Sequence, residues 1–304
     1  MRRHFITSDV FTDKPFGGNP LAVLPNAEGL STDQMQQIAR EFNLSETVFV
    51  LRPESPANTR LIRIFVPTRE IPFAGHPTIG TALILASLGE IPLGDDRTDI
   101  VLETAAGPVP VTVRSVDGRP VSATLTAPQR PQLSPAPSSD VMAAMLSLEP
   151  DDIIRAEGAS TGNPFLVVQV TDRSALGRSR IDMTVLERIG DGLFAKEPLV
   201  FTEDAPDGFD FQARMYAPLS GIPEDPATGS AAAALAGWLG HHDPMRDGTI
   251  RRAIAQGIEM GRPSRLEIEV DKAGGEVTAV RVTGSAVLIS EGQIEEPPVL
   301  PAPG

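Results

Sequence analysis

The chain has 304 residues, a formal net charge of −14 and no cysteine. A length of this order fits two domains rather than one small core. The negative charge argues against nucleic acid as a partner, the missing cysteines exclude disulfides, thiolate nucleophiles and Cys-ligated metals, and no apolar run approaches the roughly 20 residues of a membrane-spanning helix.

The chain starts (Met1 to Ile6) directly in a strand-like segment without the apolar core of a signal peptide, which leads us to expect a soluble, cytoplasmic protein. Phe5 to Val10 reads as a strand, Phe16-Gly17-Gly18-Asn19-Pro20 as a turn, and Leu21 to Pro25 as the next strand. From Ser31 to Phe42 the apolar positions Met35, Ile38, Ala39 and Phe42 recur at helical spacing. Ser31 followed by Gln34 fits a capping box. The β-branched and aromatic run Thr47 to Val50 predicts a strand with Glu46 at its start, and Leu61 to Val66 predicts another. An apolar helix follows from Pro77, then strands over Ile100 to Thr104 and Val109 to Val113, with Asp117-Gly118 as a turn.

Residues 127–139 are rich in proline and serine and read as a linker; the proline-rich tail from Glu295 reads as mobile in its last residues. Beyond the linker the pattern repeats. Gly162-Asn163-Pro164 echoes Gly18-Asn19-Pro20, and Asp225-Pro226-Ala227-Thr228-Gly229-Ser230 echoes His76-Pro77-Thr78-Ile79-Gly80-Thr81. A period of roughly 150 residues implies a duplicated domain. The expected halves are residues 1–126, rejoined by 285–304, and residues 140–284. Each carries one helix apolar nearly all round, which should be buried on most sides. A rolled sheet around one central helix, twice per chain, satisfies this pattern.

Both central helices begin alike. A polar residue, His76 or Asp225, stands where a cap belongs, proline takes the first helical position, and a glycine, Gly80 or Gly229, follows. Asp is a favoured cap and His a poor one. Two readings fit: caps with tight packing, or free backbone N–H groups that hold an anion. Only four histidines are present, His4, His76, His241 and His242, with no HExxH pattern, so a catalytic metal is not expected. Spacing alone does not single out Glu46 from the other acids.

Six blocks, in order, resemble the PhzF-like (phenazine biosynthesis-like) isomerase family: Asp9–Pro25, Ile38–Val50, Arg69–Ala82, Gly162–Val168, Gly221–Leu235 and Gln256–Ser264. The resemblance implies the diaminopimelate-epimerase type of fold, a mixed α/β architecture of two similar halves with the active site in the cleft between them. It also implies a homodimer and a cofactor-independent reaction, the isomerisation of a dihydro-hydroxyanthranilate. The matching catalytic positions are Glu46, His76 and Asp225. The matching substrate-binding positions are Asn19, Gly75, Gly229 and Ser230. Glu46 is then expected to be buried, to titrate high, and to carry a proton between two carbons of a small anionic substrate. Related epimerases of this fold use a cysteine pair, which this chain lacks. An enol–keto tautomerase or lyase in the same cleft, or a non-catalytic small-molecule-binding dimer, are the other readings of the same residues.

Overall fold

The computed structural model describes residues 1–298; the end of the tail, expected to be loose, lies outside the described residues. The chain divides into two compact units. Met1–Leu125 and the stretch from Thr283 onward make the first, and Thr126–Val282 makes the second.

In the first unit β1 (Arg2–Val10) and β2 (Asn19–Leu24) form a hairpin, followed by helix α1 (Thr32–Phe42). β3 (Glu46–Leu51) lies parallel to β2, and β4 (Arg60–Phe65) antiparallel to β3. The short β5 (Glu70–Ile71) flanks β4 and leads into the central helix α2 (Gly75–Ser87). β6 (Arg97–Thr104) returns parallel to β4, and β7 (Gly107–Val116) and β8 (Arg119–Thr126) complete the antiparallel run. Asp117 and Gly118 both take positive φ, as a two-residue hairpin turn between right-twisted strands requires. α2 touches β1 and β2 at one end of this order and β7 near the other, so the sheet rolls around it. Every α2 residue from Gly75 to Ala86 is buried, as its all-round apolar sequence demands. On the other face, α1 packs Met35, Ile38 and Ala39 against Leu24, Phe49 and Phe65. Its start carries the expected capping box, Ser31 Oγ accepting from Gln34 N at 3.2 Å and Gln34 Oε1 accepting from Ser31 N at 3.0 Å.

The second unit opens with β9 (Gln132–Pro135), which pairs with β10 (Ile153–Ser160) across helix α3 (Ser139–Leu146). The Pro/Ser-rich stretch 127–139 is therefore partly built into this sheet: its prolines leave enough backbone N–H and C=O groups for an outer strand. β11 (Pro164–Val170) forms a hairpin with β10; two short helices, α4 (Arg173–Arg178) and α5 (Met183–Ile189), follow. β12 (Pro198–Thr202) is parallel to β11 and β13 (Phe211–Ala217) antiparallel to β12. The short β14 (Ile222–Asp225) flanks β13 and leads into the central helix α6 (Gly229–His242). β15 (Gly248–Gln256) is parallel to β13, and β16 (Ser264–Ala273) antiparallel to β15. β17 (Glu276–Gly284) follows, and β18 (Ala286–Glu295) pairs along all of β1 in the first unit.

The two units thus share one pairing order: hairpin, parallel step, antiparallel step, short flanking strand, buried helix, parallel return. The sequence echo holds, but its register differs from the one the motifs suggest. The central helices begin at Gly75 and Gly229. His76 is therefore the second residue of α2, behind an Ala74 cap, and Asp225 ends β14, ahead of a Thr228 cap. Neither is a cap. Pairing with Met215 keeps Asp225 extended, and the turn 226–228 separates it from the helix. No helix of the described residues is long and apolar enough to cross a membrane.

Candidate active site

The first constellation forms where α2 meets the β1–β2–β3 surface. Ser8 pairs with Leu21, and Leu21 with Glu46. Val10 pairs with Asn19. Because side chains alternate along a strand, Val10, Asn19, Leu21 and Glu46 share one face. α2 lies on that face, and Gly80 sets how closely. A Cβ at Gly80 would stand 2.5 Å from Leu21 Cδ2 and 2.7 Å from Val10 Cγ2. The helix therefore settles nearer the sheet than any larger residue permits. His76, one turn earlier on the same side of α2, comes down between Asn19 and Glu46.

The β1–β2 loop fixes Asn19 from the other direction. Gly18 has φ +60, and a Cβ there would lie 2.2 Å from the carbonyl oxygen of Val10, so only glycine can turn the chain at this point. Phe11 and Phe16 also hold positive φ. Phe16 N–H donates to Asp9 Oδ2 at 2.7 Å, and Phe11 N–H to the Ser285 carbonyl at 2.7 Å. A strained, tethered loop thus delivers Asn19 to the start of β2 with its side chain fully buried.

His76 Nδ1 lies 3.2 Å from Asn19 Nδ2. Its Nε2 lies 3.2 Å from Glu46 Oε2, off the line of a full hydrogen bond. His76 is 3% exposed and Glu46 8%. A lone Glu at the start of a strand is ordinarily solvated, so its burial beside an imidazole is a departure that asks for a reason. Burial pushes the His76 pKa down to about 3, and the positive end of α2 opposes a charged imidazole in the same direction. Gly75, the first residue of α2, is buried, and no side chain caps the helix. Helix geometry gives the leading N–H groups no intrahelical acceptor.

The second constellation surrounds the start of α6. The Asp225 carboxylate accepts the Thr228 hydroxyl. Gln256 then grips the turn at both ends. Its Nε2 donates to the Asp225 carbonyl at 2.8 Å and to Thr228 Oγ1 at 3.2 Å, and its Oε1 accepts Thr228 N–H at 3.1 Å. Ser264 Oγ donates to the Pro226 carbonyl at 3.0 Å. Behind this turn, Arg214 holds the neighbouring Glu224 with two bonds of 2.8 Å and donates to the carbonyls of Leu176, Gly177 and Ser179. Asp225 is consequently buried on a rigid strand end. Gly229 is buried and Ser230 half-buried in the first turn of α6, whose cap Thr228 turns its hydroxyl to Asp225 instead of to the helix.

The structure thus gathers Asn19, Glu46, Gly75 and His76 at the start of α2, and Asp225, Gly229 and Ser230 at the start of α6. It adds three residues that the sequence reading passed over: Thr228, Gln256 and Ser264. The three-residue step from Asp225 to Thr228 is a local signal that could have marked the first. Gln256 is 31 positions from Asp225, and no periodicity connects them.

A family profile described as phenazine biosynthesis-like protein matches residues 8–292. The chain is 41% identical over 303 residues to an uncharacterized isomerase of Mesorhizobium japonicum, covering 96% of this chain and 98% of the relative. It is 35% identical over 292 residues to a trans-2,3-dihydro-3-hydroxyanthranilate isomerase of Pseudomonas aeruginosa, covering 95% and 98%. Among solved structures, a Bacillus anthracis phenazine biosynthesis protein of the PhzF family superposes with a TM-score of 0.85 at 24% identity, over 97% of this chain and 99% of that one.

Proposed function

The chain belongs to the phenazine biosynthesis-like family of isomerases, and from that premise we propose that it moves a proton along a small carboxylate-bearing metabolite of the dihydro-hydroxyanthranilate class, by glutamate acid/base chemistry and without a cofactor. The observation that carries this reading is the buried Glu46 carboxyl 3.2 Å from a neutral, buried His76.

In this mechanism Glu46 takes a proton from a ring carbon of the substrate. The electrons of the broken C–H bond pass into the adjacent conjugated system, a double bond shifts, and Glu46, whose carboxyl proton exchanges with solvent in the interval, returns a proton to another carbon. Nothing is oxidised or reduced overall, and one carboxyl group suffices. Negative charge grows on the substrate between the two transfers and must be met by groups already in place. His76 supplies a donor that needs no reorganisation. Asp225 holds or polarises the substrate's amine or hydroxyl. The small residues Gly75 at the start of α2, and Gly229 with Ser230 at the start of α6, each leave backbone N–H groups open to a carboxylate, and Asn19, wholly buried beside His76, serves the substrate-binding set through that contact.

The experiment is turnover of trans-2,3-dihydro-3-hydroxyanthranilate in D2O, read by mass and NMR. Deuterium should enter the product at carbon, and Glu46→Gln should lower turnover by at least about 100-fold while the folded fraction is unchanged. Full activity and exchange in Glu46→Gln would overturn the assignment.

A further inference from the structure

We infer that Asn19 is a positioning residue that fixes His76 in its neutral Nε2–H tautomer, so that the imidazole always presents a donor, never an acceptor, to Glu46 and to the charge developing beside it. The inference rests on the proposed function only for its effect on turnover; the tautomer itself follows from geometry.

The atoms decide the direction. An amide nitrogen carries two hydrogens and accepts nothing. Asn19 Nδ2 stands 3.2 Å from His76 Nδ1, so Nδ1 receives the bond. A neutral imidazole has one N–H, which must then sit on Nε2. Nε2 is the nitrogen turned toward Glu46, 3.2 Å from Oε2. Protonating Nδ1 would set an N–H against an N–H inside a fully buried contact, so the charged form is opposed by the amide as well as by burial. The alternative neutral tautomer would bring the same two hydrogens together and leave Nε2 as a lone pair facing a carboxylate.

The neighbours keep Asn19 from yielding. It is 0% exposed. It is paired with Val10, and the turn before it passes through a Gly18 that no other residue can replace. His76 is equally fixed, in the first turn of α2 on a helix seated by Gly80. The places of the Asn19 amide and of the His76 ring are therefore set by the backbone on both sides of the contact. The consequence for chemistry is a division of labour. Glu46 alone exchanges protons, and His76 donates a hydrogen bond without competing for them. Asn19 reaches the reaction through His76 rather than by touching the reacting atoms.

The test uses the intact protein, labelled with 15N-histidine, and long-range 1H–15N spectra that separate the two neutral tautomers and the imidazolium. Only four histidines are present, and His76→Gln identifies the resonances of His76 by their loss. The wild type should show His76 neutral with its proton on Nε2. Asn19→Asp, close in shape, replaces the donor by an acceptor and should move the proton to Nδ1 or produce the imidazolium, with kcat reduced at least about 100-fold and KM changed by no more than a few-fold. A wild-type spectrum with the proton on Nδ1 would overturn the inference, as would an Asn19→Asp protein whose His76 tautomer is unchanged, whatever its activity. The wild-type spectrum decides even where the variant does not fold. It requires no substrate, so an inactive protein with the Nε2–H tautomer would reject the proposed function and leave this inference standing.

Discussion

Replacing Gly80 by alanine tests how α2 is seated. In an ordinary helix interior the change stabilises by about 1 kcal/mol. Here the added methyl carbon would lie 2.5 Å from Leu21 Cδ2 and 2.7 Å from Val10 Cγ2, where apolar carbons rest at about 3.5–4.0 Å. Leu21 and Val10 are both wholly buried, so neither side chain has solvent to turn into. Overpacking of this kind costs about 1–3 kcal/mol. Set against the helix gain, Gly80→Ala should lose up to about 2 kcal/mol, read as a lowered urea midpoint with unchanged slope. Relief requires roughly an ångström of separation, and the helix carries His76 with it. Misplacement by about 1 Å lowers catalysis by as much as about 100-fold, so turnover should fall further than stability. A variant that is about 1 kcal/mol more stable and fully active would refute the close-seating explanation of Gly80.

Two further outcomes follow from the same geometry. The folded His76 is held neutral, with its pKa near 3 against 6.5 for the free side chain, so below pH 6.5 the unfolded chain binds a proton that the folded chain refuses. The stability from this group is complete above pH 6.5 and drains toward pH 3 at up to about 1.4 kcal/mol per pH unit; urea midpoints measured from pH 7 to pH 5 should fall less in His76→Gln, and identical slopes would contradict the burial of a neutral imidazole. Gln256→Leu removes the partner of Thr228 N–H and of the Asp225 carbonyl inside the protein, which should lower stability by at least about 2 kcal/mol; an unshifted denaturation midpoint would show that Gln256 does not hold the turn.

Local rules carried far along this chain and failed where distant strands decide. Ser31 and Gln34 cap α1 as their spacing predicts, and Asp117-Gly118 turns the β7–β8 hairpin, because each depends on neighbours within three or four positions. The duplication was legible because both units carry Gly-Asn-Pro at the entry to the second strand of the hairpin and a similar motif before the central helix. The caps were misread. Proline near a helix start suggested His76 and Asp225, but strand pairing with Met215 claims Asp225, and Ala74, beyond the end of β5 at Ile71, takes the cap position of α2 and leaves His76 inside the helix. Gly80 fitted either tight packing or an anion site, and its position answers to packing, since a Cβ there would meet two side chains of the sheet. Glu46 could not be told from the other acids by spacing; only the resemblance picked it out, and its burial became visible once β2 and β3 were aligned in parallel. Gln256 was invisible for the same reason that it matters, because it joins segments far apart in sequence.

The two outermost strands differ in when a ribosome delivers them. β9 precedes β10 by a short helix, so the second unit, a single run from Thr126 to Val282, has every strand of its roll available as soon as that run has emerged. β1 waits for β18, and the bond between Arg2 and Glu295 spans 293 positions. During synthesis the later half can therefore finish first, while the earlier half stays unclosed with one edge of β1 exposed. Such an edge pairs readily with other chains, so a nascent chain is open to association along β1 until β18 arrives to cover it.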